Sequence, residues 1–160
     1  MYVLAWFLKF SMSATSSPLA FAPLSEAALS EFSDARNFVT RVVDDLLGGE
    51  MLTQTSSDLG TLQTLVDHDA MRNANYEAWV ALGIAFGDAL ADHVPGLAWR
   101  LVTDQNRTYA ALQYAQTALS VAAPTMLWKR VERGENFDLV DLASGLKTFI
   151  DEHAHEYRQA

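Results

Sequence analysis

The stretch Asn75–Val102, NYEAWVALGIAFGDALADHVPGLAWRLV, decides the fold. In its first part Trp79, Leu82, Phe86 and Leu90 recur every three or four residues, the period of a helix that turns one stripe to a core. Val94-Pro95-Gly96 stops that helix and turns the chain. The period then becomes two, with Leu97, Trp99 and Leu101 on one face of a strand and Arg100 on the other. Trp99, sharing its face with two leucines, is expected in the core. Gly83 and Gly87 lie one turn apart on the helix. Each costs about 1 kcal/mol relative to alanine in a helix, and the usual return is the close approach of another backbone. A membrane helix pair is excluded, because Glu77, Asp88 and Asp92 bracket a segment too short and too polar to span a bilayer.

Downstream, Asp104-Gln105-Asn106-Arg107 reads as a turn, Thr108–Tyr114 as a second alternating strand and Ala118–Ala122 as a third. Connections this short make neighbours antiparallel. Pro124 opens a helix carrying Met126, Leu127 and Val131, and Gly134 closes it. Asp138 caps a last helix with Leu139, Leu142, Leu146, Phe149 and Ile150 inward, followed by a polar tail from Asp151. Upstream, Ser25 caps a helix marked by Leu29, Phe32, Val39, Val42, Val43 and Leu46 and ended by Gly48-Gly49. Ser56, Ser57 or Asp58 caps a shorter one with Leu59, Leu62, Leu65 and Val66, and His68–Asn73 reads as a polar connection. The expected fold is α+β: a small antiparallel three- to four-stranded sheet with two or three helices before it and two after it.

A chain of 160 residues fits one domain and needs no staples. It has no cysteine, which removes disulfides, thiolate metal sites and a cysteine nucleophile. Met1–Phe10 is apolar except for Lys9, and a Ser/Thr-rich stretch follows. A signal peptide fits poorly: no basic residues precede the apolar run, Lys9 interrupts it, and Pro23 follows the small residues Ala20-Phe21-Ala22. The expected organisation is an extension over 1–24, disordered or mis-assigned with translation starting at Met12, and a single α+β domain over 25–160.

The ordered set Leu82-Gly83-x-x-Phe86-Gly87-x-x-Leu90, Gly96-Leu97-x-Trp99, Asp104, Pro124, Arg130-Val131-Glu132-x-Gly134-Glu135 and Asp138 resembles an uncharacterised bacterial family, domain of unknown function 3806. The resemblance covers about residues 75 to 146. It implies a bacterial origin and an α+β domain, and it carries no catalytic role onto any residue.

The densest charge cluster is Lys129, Arg130, Glu132, Arg133 and Glu135. Beside a sheet, it is a candidate surface for an anion or a partner, since arginine recognises carboxylates through bidentate geometry. The alternative is a solvated helix end whose ion pairs contribute less than about 1 kcal/mol. Arg100, Asp104 and Asp138 complete the candidate binding residues. Glu152, His153, His155 and Glu156 make a poor metal site, because His-x-His spacing does not suit a helix, and no metal or cofactor is expected. Phosphate-loop, dinucleotide-fold and nucleophile-elbow signatures are absent from the sequence.

A net charge of −9 argues against nucleic acid and against an anionic membrane, and it suits a basic protein partner. The functional expectation is a small, acidic, cytoplasmic, non-catalytic protein-binding module, of the kind that serves as a toxin-neutralising immunity protein or dedicated chaperone. One alternative is a hydrolase-type enzyme using Asp104, Glu132, Glu135 and Asp138 in a cleft. Another is a structural homodimer, recognisable by a large exposed apolar patch.

Overall fold

The computed structural model describes residues 18–105 and 107–158. The alternative start at Met12 lies outside the described residues. Strand β1 (Ala20–Ala22) leads into helix α1 (Glu26–Leu47). Ser25 caps α1 by accepting the Ala28 N–H, and Gly48, left-handed at φ 79°, ends it with its N–H on the Asp44 carbonyl. A one-turn 3-10 helix (Ser56–Asp58) runs into α2 (Leu59–Asp67), then α3 (Asp69–Arg72) and α4 (Tyr76–His93). Strands β2 (Leu97–Asp104), β3 (Arg107–Tyr114) and β4 (Ser120–Val121) follow, then α5 (Ala123–Glu132), α6 (Leu139–His153) and a final 3-10 turn (Ala154–Tyr157).

The four strands form one antiparallel sheet in the order β1-β2-β3-β4. The α+β class is therefore the observed one, with helices on both sides of the sheet in the sequence. Two details depart from the periodicity. The segment 68–73 contains α3, whose Met71 is only 4 % exposed, because one apolar residue in a polar stretch is enough to seat a helical turn on the core. The fourth strand comes from Ala20–Ala22, inside the stretch expected to be an extension, and pairs with Leu101–Thr103. Three residues carry too little alternation to read as a strand. Their order comes from the free edge of β2.

Helix α4 is the centre of the molecule. Every residue from Ala81 to Leu90 is buried, so the helix is apolar nearly all round, as a helix enclosed by other elements must be. Trp79, Leu82, Phe86 and Leu90 meet Leu62 and Leu65 of α2, Leu127 of α5, Leu139, Leu146 and Ile150 of α6, and Leu112 of β3 in one core. The two helix glycines have separate reasons. A Cβ on Gly83 would lie 2.6 Å from the carbonyl oxygens of Ala123 and Pro124, so the first turn of α5 rests directly on α4. A Cβ on Gly87 would run into the Trp99 ring, so there the close neighbour is a side chain of β2.

The β3–β4 connection is strained. Ala115 (φ 43°) and Gln116 (φ 60°) are consecutive left-handed residues between Tyr114 and Thr117, whose N–H reaches the Tyr114 carbonyl at 2.8 Å. Two-residue turns of this kind favour Asn-Gly, and a left-handed side-chain-bearing residue costs about 1–2 kcal/mol. The double substitution Ala115→Asn/Gln116→Gly is expected to raise unfolding free energy by about 1 kcal/mol, seen as a higher urea midpoint at unchanged slope. An unchanged or lower midpoint would show that the turn's surroundings, not its residues, set its conformation.

Candidate functional site

The sequence-predicted residues separate into four places. Arg100 lies on β2 facing away from Trp99, half-buried, with its guanidinium donating to the Trp99 carbonyl at 3.1 Å. Asp104 ends β2 opposite Arg107, and its Oδ1 is buried with no hydrogen-bond partner among the described residues. Burial first, and the Asp104 charge second, push the Tyr109 hydroxyl above its ordinary pKa, while Arg107 opposes them. Asp138 is the N-cap of α6, accepting the Asp141 N–H at 2.9 Å.

The remaining five gather at the end of α5. Gly134 is left-handed (φ 65°), its N–H on the Val131 carbonyl and the Glu135 N–H on the Arg130 carbonyl. These two bonds are the Schellman arrangement that ends helices, and they explain why Gly134 follows this charge run. Arg133 donates through Nε to Glu135, and that bond holds the Glu135 carboxyl below its usual range. Burial lowers the Arg130 pKa, with Arg133 adding to it and Glu135 opposing. Burial also lowers Lys129, reinforced by Arg133 and Arg107 and offset by Glu132. Lys129 and Arg130 sit in the last turn, where cations suit the helix dipole. The α5 end and the β2–β3 hairpin therefore share one electrostatic neighbourhood. Arg100, further along β2, and Asp138, on another helix, serve other local purposes.

A cleft of about 650 Å³ opens elsewhere, between the β3–β4 turn and the end of α6. Tyr114, Gln116, Thr117, Asp151, His155 and Arg158 line it. None of the four carboxylates proposed for hydrolysis does. Among the described residues no group of three or more His, Asp or Glu side chains is placed to hold a metal. His153 instead contacts Glu156 at 2.9 Å.

Two polar anchors were not legible as such. Asp88, 7 % exposed, accepts from Arg36 Nε at 2.7 Å, from Arg36 Nη2 at 2.8 Å and from Trp99 Nε1 at 3.0 Å. The Arg36 guanidinium also stands over Phe32, which meets Trp99 edge-on with centroids 4.7 Å apart. This network ties α1, α4 and β2 together. Its one sequence signal is an aspartate within the otherwise apolar run from Ala78 to Ala91. Asp58, one of three candidate caps, stands at the N-cap position of α2, but its side chain turns backward, accepting the N–H groups of Thr53 (2.9 Å) and Gln54 (2.7 Å) and the Thr53 hydroxyl (2.8 Å). It makes no side-chain bond to α2.

The family model described as a domain of unknown function (DUF3806) matches residues 58–142, more than half of the chain. The chain belongs to this family. The DUF3806 region begins at the buried Asp58 and runs to Leu142, so it adds α2 to the stretch from about residue 75 that carries the resemblance and stops a few residues before that stretch's end near 146. It contains Asp88 and Trp99 but not Arg36. No curated protein matches the chain. A crystal structure from Bacteroides thetaiotaomicron VPI-5482, at 1.50 Å, superposes with a TM-score of 0.71 at 19% identity. It covers 84% of this chain, while the chain spans about half (49%) of that protein. At this identity the likeness is one of fold. No helix among the described residues is long and apolar enough to cross a membrane.

Proposed function

We propose that this DUF3806 protein is a non-catalytic binding module whose partner is a basic protein. The observation that carries the proposal is the outer face of α1. Phe32, Val39 and Val43 point inward and are buried. At 100° per residue they fall within about 40° of one another, and Glu26, Glu31, Asp34, Asp44 and Asp45 occupy an arc of about 140° centred on the opposite side. All five carboxylates are exposed. Of the two cations on α1, Arg36 is drawn inward to Asp88, which leaves Arg41 alone against five acids. The outside of a helix is a convex surface that suits docking and encloses no substrate. An acidic surface of this kind steers a basic partner and gives salt-sensitive association.

The other readings have less support. The carboxylates named for hydrolysis stand apart from the 650 Å³ cleft, and Asp138 is occupied as a cap. Among the described residues the large exposed apolar side chains, Leu29, Met51, Tyr76, Tyr109 and Val140, come from five different segments of the chain. A cytoplasmic setting, and service as an immunity protein or chaperone, are finer proposals consistent with an acidic surface.

The test is a tagged pull-down from the native host's lysate, comparing wild type with Glu31→Lys/Asp34→Lys/Asp45→Lys at low and high salt. The expected result is one stoichiometric basic protein, retained by wild type at low salt and lost with the triple variant or at high salt. Recovery of the chain alone, or of a partner indifferent to the three charges, would overturn the reading.

A further inference from the structure

The cleft of about 650 Å³ takes no part in the reading above, since none of its lining residues belongs to α1. Its volume lies within the usual range of small-molecule sites. One wall is the end of α6 with the final 3-10 turn. Asp151, Ala154, His155 and Arg158 follow one another there at helical spacing, and all four line the cleft. The tail that carries His155 and Arg158 is tied down. The Tyr157 carbonyl accepts the Ala118 N–H at 2.9 Å, and the Tyr157 ring lies 6.4 Å from that of Phe149. The facing wall is the β3–β4 turn, in which Ala115 and Gln116 both hold left-handed backbone. Strain of that kind concentrates at ligand clamps. Two charges of opposite sign line this cleft without meeting. Among the described residues the ion pair of Asp151 is with Lys147, and Arg158 has none. The Lys147–Asp151 pair is itself exposed, so it contributes little and yields readily to a competitor. Asp151 and Arg158 stand seven positions apart, two helical turns, which is about 10 Å along the axis.

We infer that this cleft binds a short peptide end to end, with its terminal carboxylate on Arg158 and its terminal ammonium on Asp151. An extended tripeptide spans about 10 Å, which matches the spacing of the two charges, whereas both charges of a single amino acid lie within one residue's length. The guanidinium offers a carboxylate two parallel donors, and the His155 ring stands one turn away on the same wall. On the facing wall the Gln116 side chain carries one amide donor pair and one acceptor, the complement of a peptide bond. Ile150, 0 % exposed, and Ala154 give a middle side chain apolar surface to cover. A dicarboxylate of the same length would set one anion against Asp151, and a diamine one cation against Arg158. The charge pair therefore selects a zwitterion.

The experiment is calorimetric titration of the full chain with the tripeptide Ala-Leu-Ala, up to about 10 mM, since ligands this small bind in the micromolar to millimolar range. Its C-terminal amide, its N-acetyl form and free alanine are titrated alongside. The expected result is saturable binding of the free tripeptide, weakened by about tenfold to a hundredfold by either block, as the loss of a charge-assisted contact requires. Two variants assign the ends. Arg158→Ala should bind the free and amidated peptides alike, and Asp151→Asn the free and acetylated peptides alike. Both side chains are exposed, so both variants should keep the wild-type circular dichroism. No saturable binding of the tripeptide, or binding indifferent to one or both blocks, would overturn the inference. So would alanine binding as tightly as the tripeptide, or blocks that act equally on wild type and on the two variants.

Discussion

Replacing Arg36 by alanine is expected to destabilise the protein by about 3–5 kcal/mol, because it strands a buried carboxylate. Asp88 sits on the central helix with only 7 % of its surface exposed. It is satisfied by two guanidinium N–H groups and one indole N–H. Without Arg36 it keeps the Trp99 bond alone, and the charge must be neutralised or hydrated in place. For a chain of this size such a loss lowers Tm by about 10 °C. Asp88→Asn is the milder change, at about 1–2 kcal/mol, since the amide oxygen still accepts from Trp99 or Arg36 and no charge is buried. Arg36 is itself partly in water, its side chain 28% exposed, so it tolerates the loss of its partner better than Asp88 does. Urea unfolding of the two variants measures the asymmetry. Equal, small effects would mean that the pair is dispensable and that Phe32 and Trp99 alone hold α1 to the sheet.

Gly83→Ala and Gly87→Ala are expected to destabilise by about 1–3 kcal/mol each, against the direction of helix propensity. At Gly83 the new methyl would meet two backbone carbonyl oxygens at 2.6 Å. Backbone has no rotamer to change, so α5 must shift away from α4 and loosen the packing around Leu127. At Gly87 the obstacle is the Trp99 ring. That ring is fixed by Asp88 and Phe32, so it yields less readily than a surface side chain would. Gly60 in α2 and Gly145 in α6 are the controls, because a Cβ at either meets nothing within 4 Å. Gly60→Ala and Gly145→Ala should stabilise by about 0.5–1 kcal/mol. Thermal melts of the four variants should therefore split two down and two up. If all four moved upward, close helix packing would not be the reason for Gly83 and Gly87.

Much of the local structure was readable without coordinates. Ser25 and Asp138 begin their helices as expected, and Gly48 and Gly134 end theirs, because capping is a property of a few adjacent residues. The change from a period near 3.6 to a period of two at Val94-Pro95-Gly96 placed the helix-to-strand boundary, since only one repeat can keep apolar residues on a buried face. The site was much less legible. Lys129, Arg130, Glu132, Arg133 and Glu135 are close in sequence and stay close in space. Arg100 and Asp138 were grouped with them by charge alone, and the fold sends each to a separate task. Asp104 joins the group only through Arg107, at the shared hairpin end.

The sequence by itself determined the secondary elements, their caps, the α+β class and the absence of cysteine chemistry, all of which depend on residue type and short-range spacing. The tertiary structure alone decided that Arg36 would reach Asp88, 52 positions away, and that Gly83 would admit the backbone of Ala123 and Pro124. It also decided that three residues before the first helix would become an edge strand. These outcomes depend on which surfaces meet once the elements pack, and partners brought together by packing leave no periodic trace along the chain.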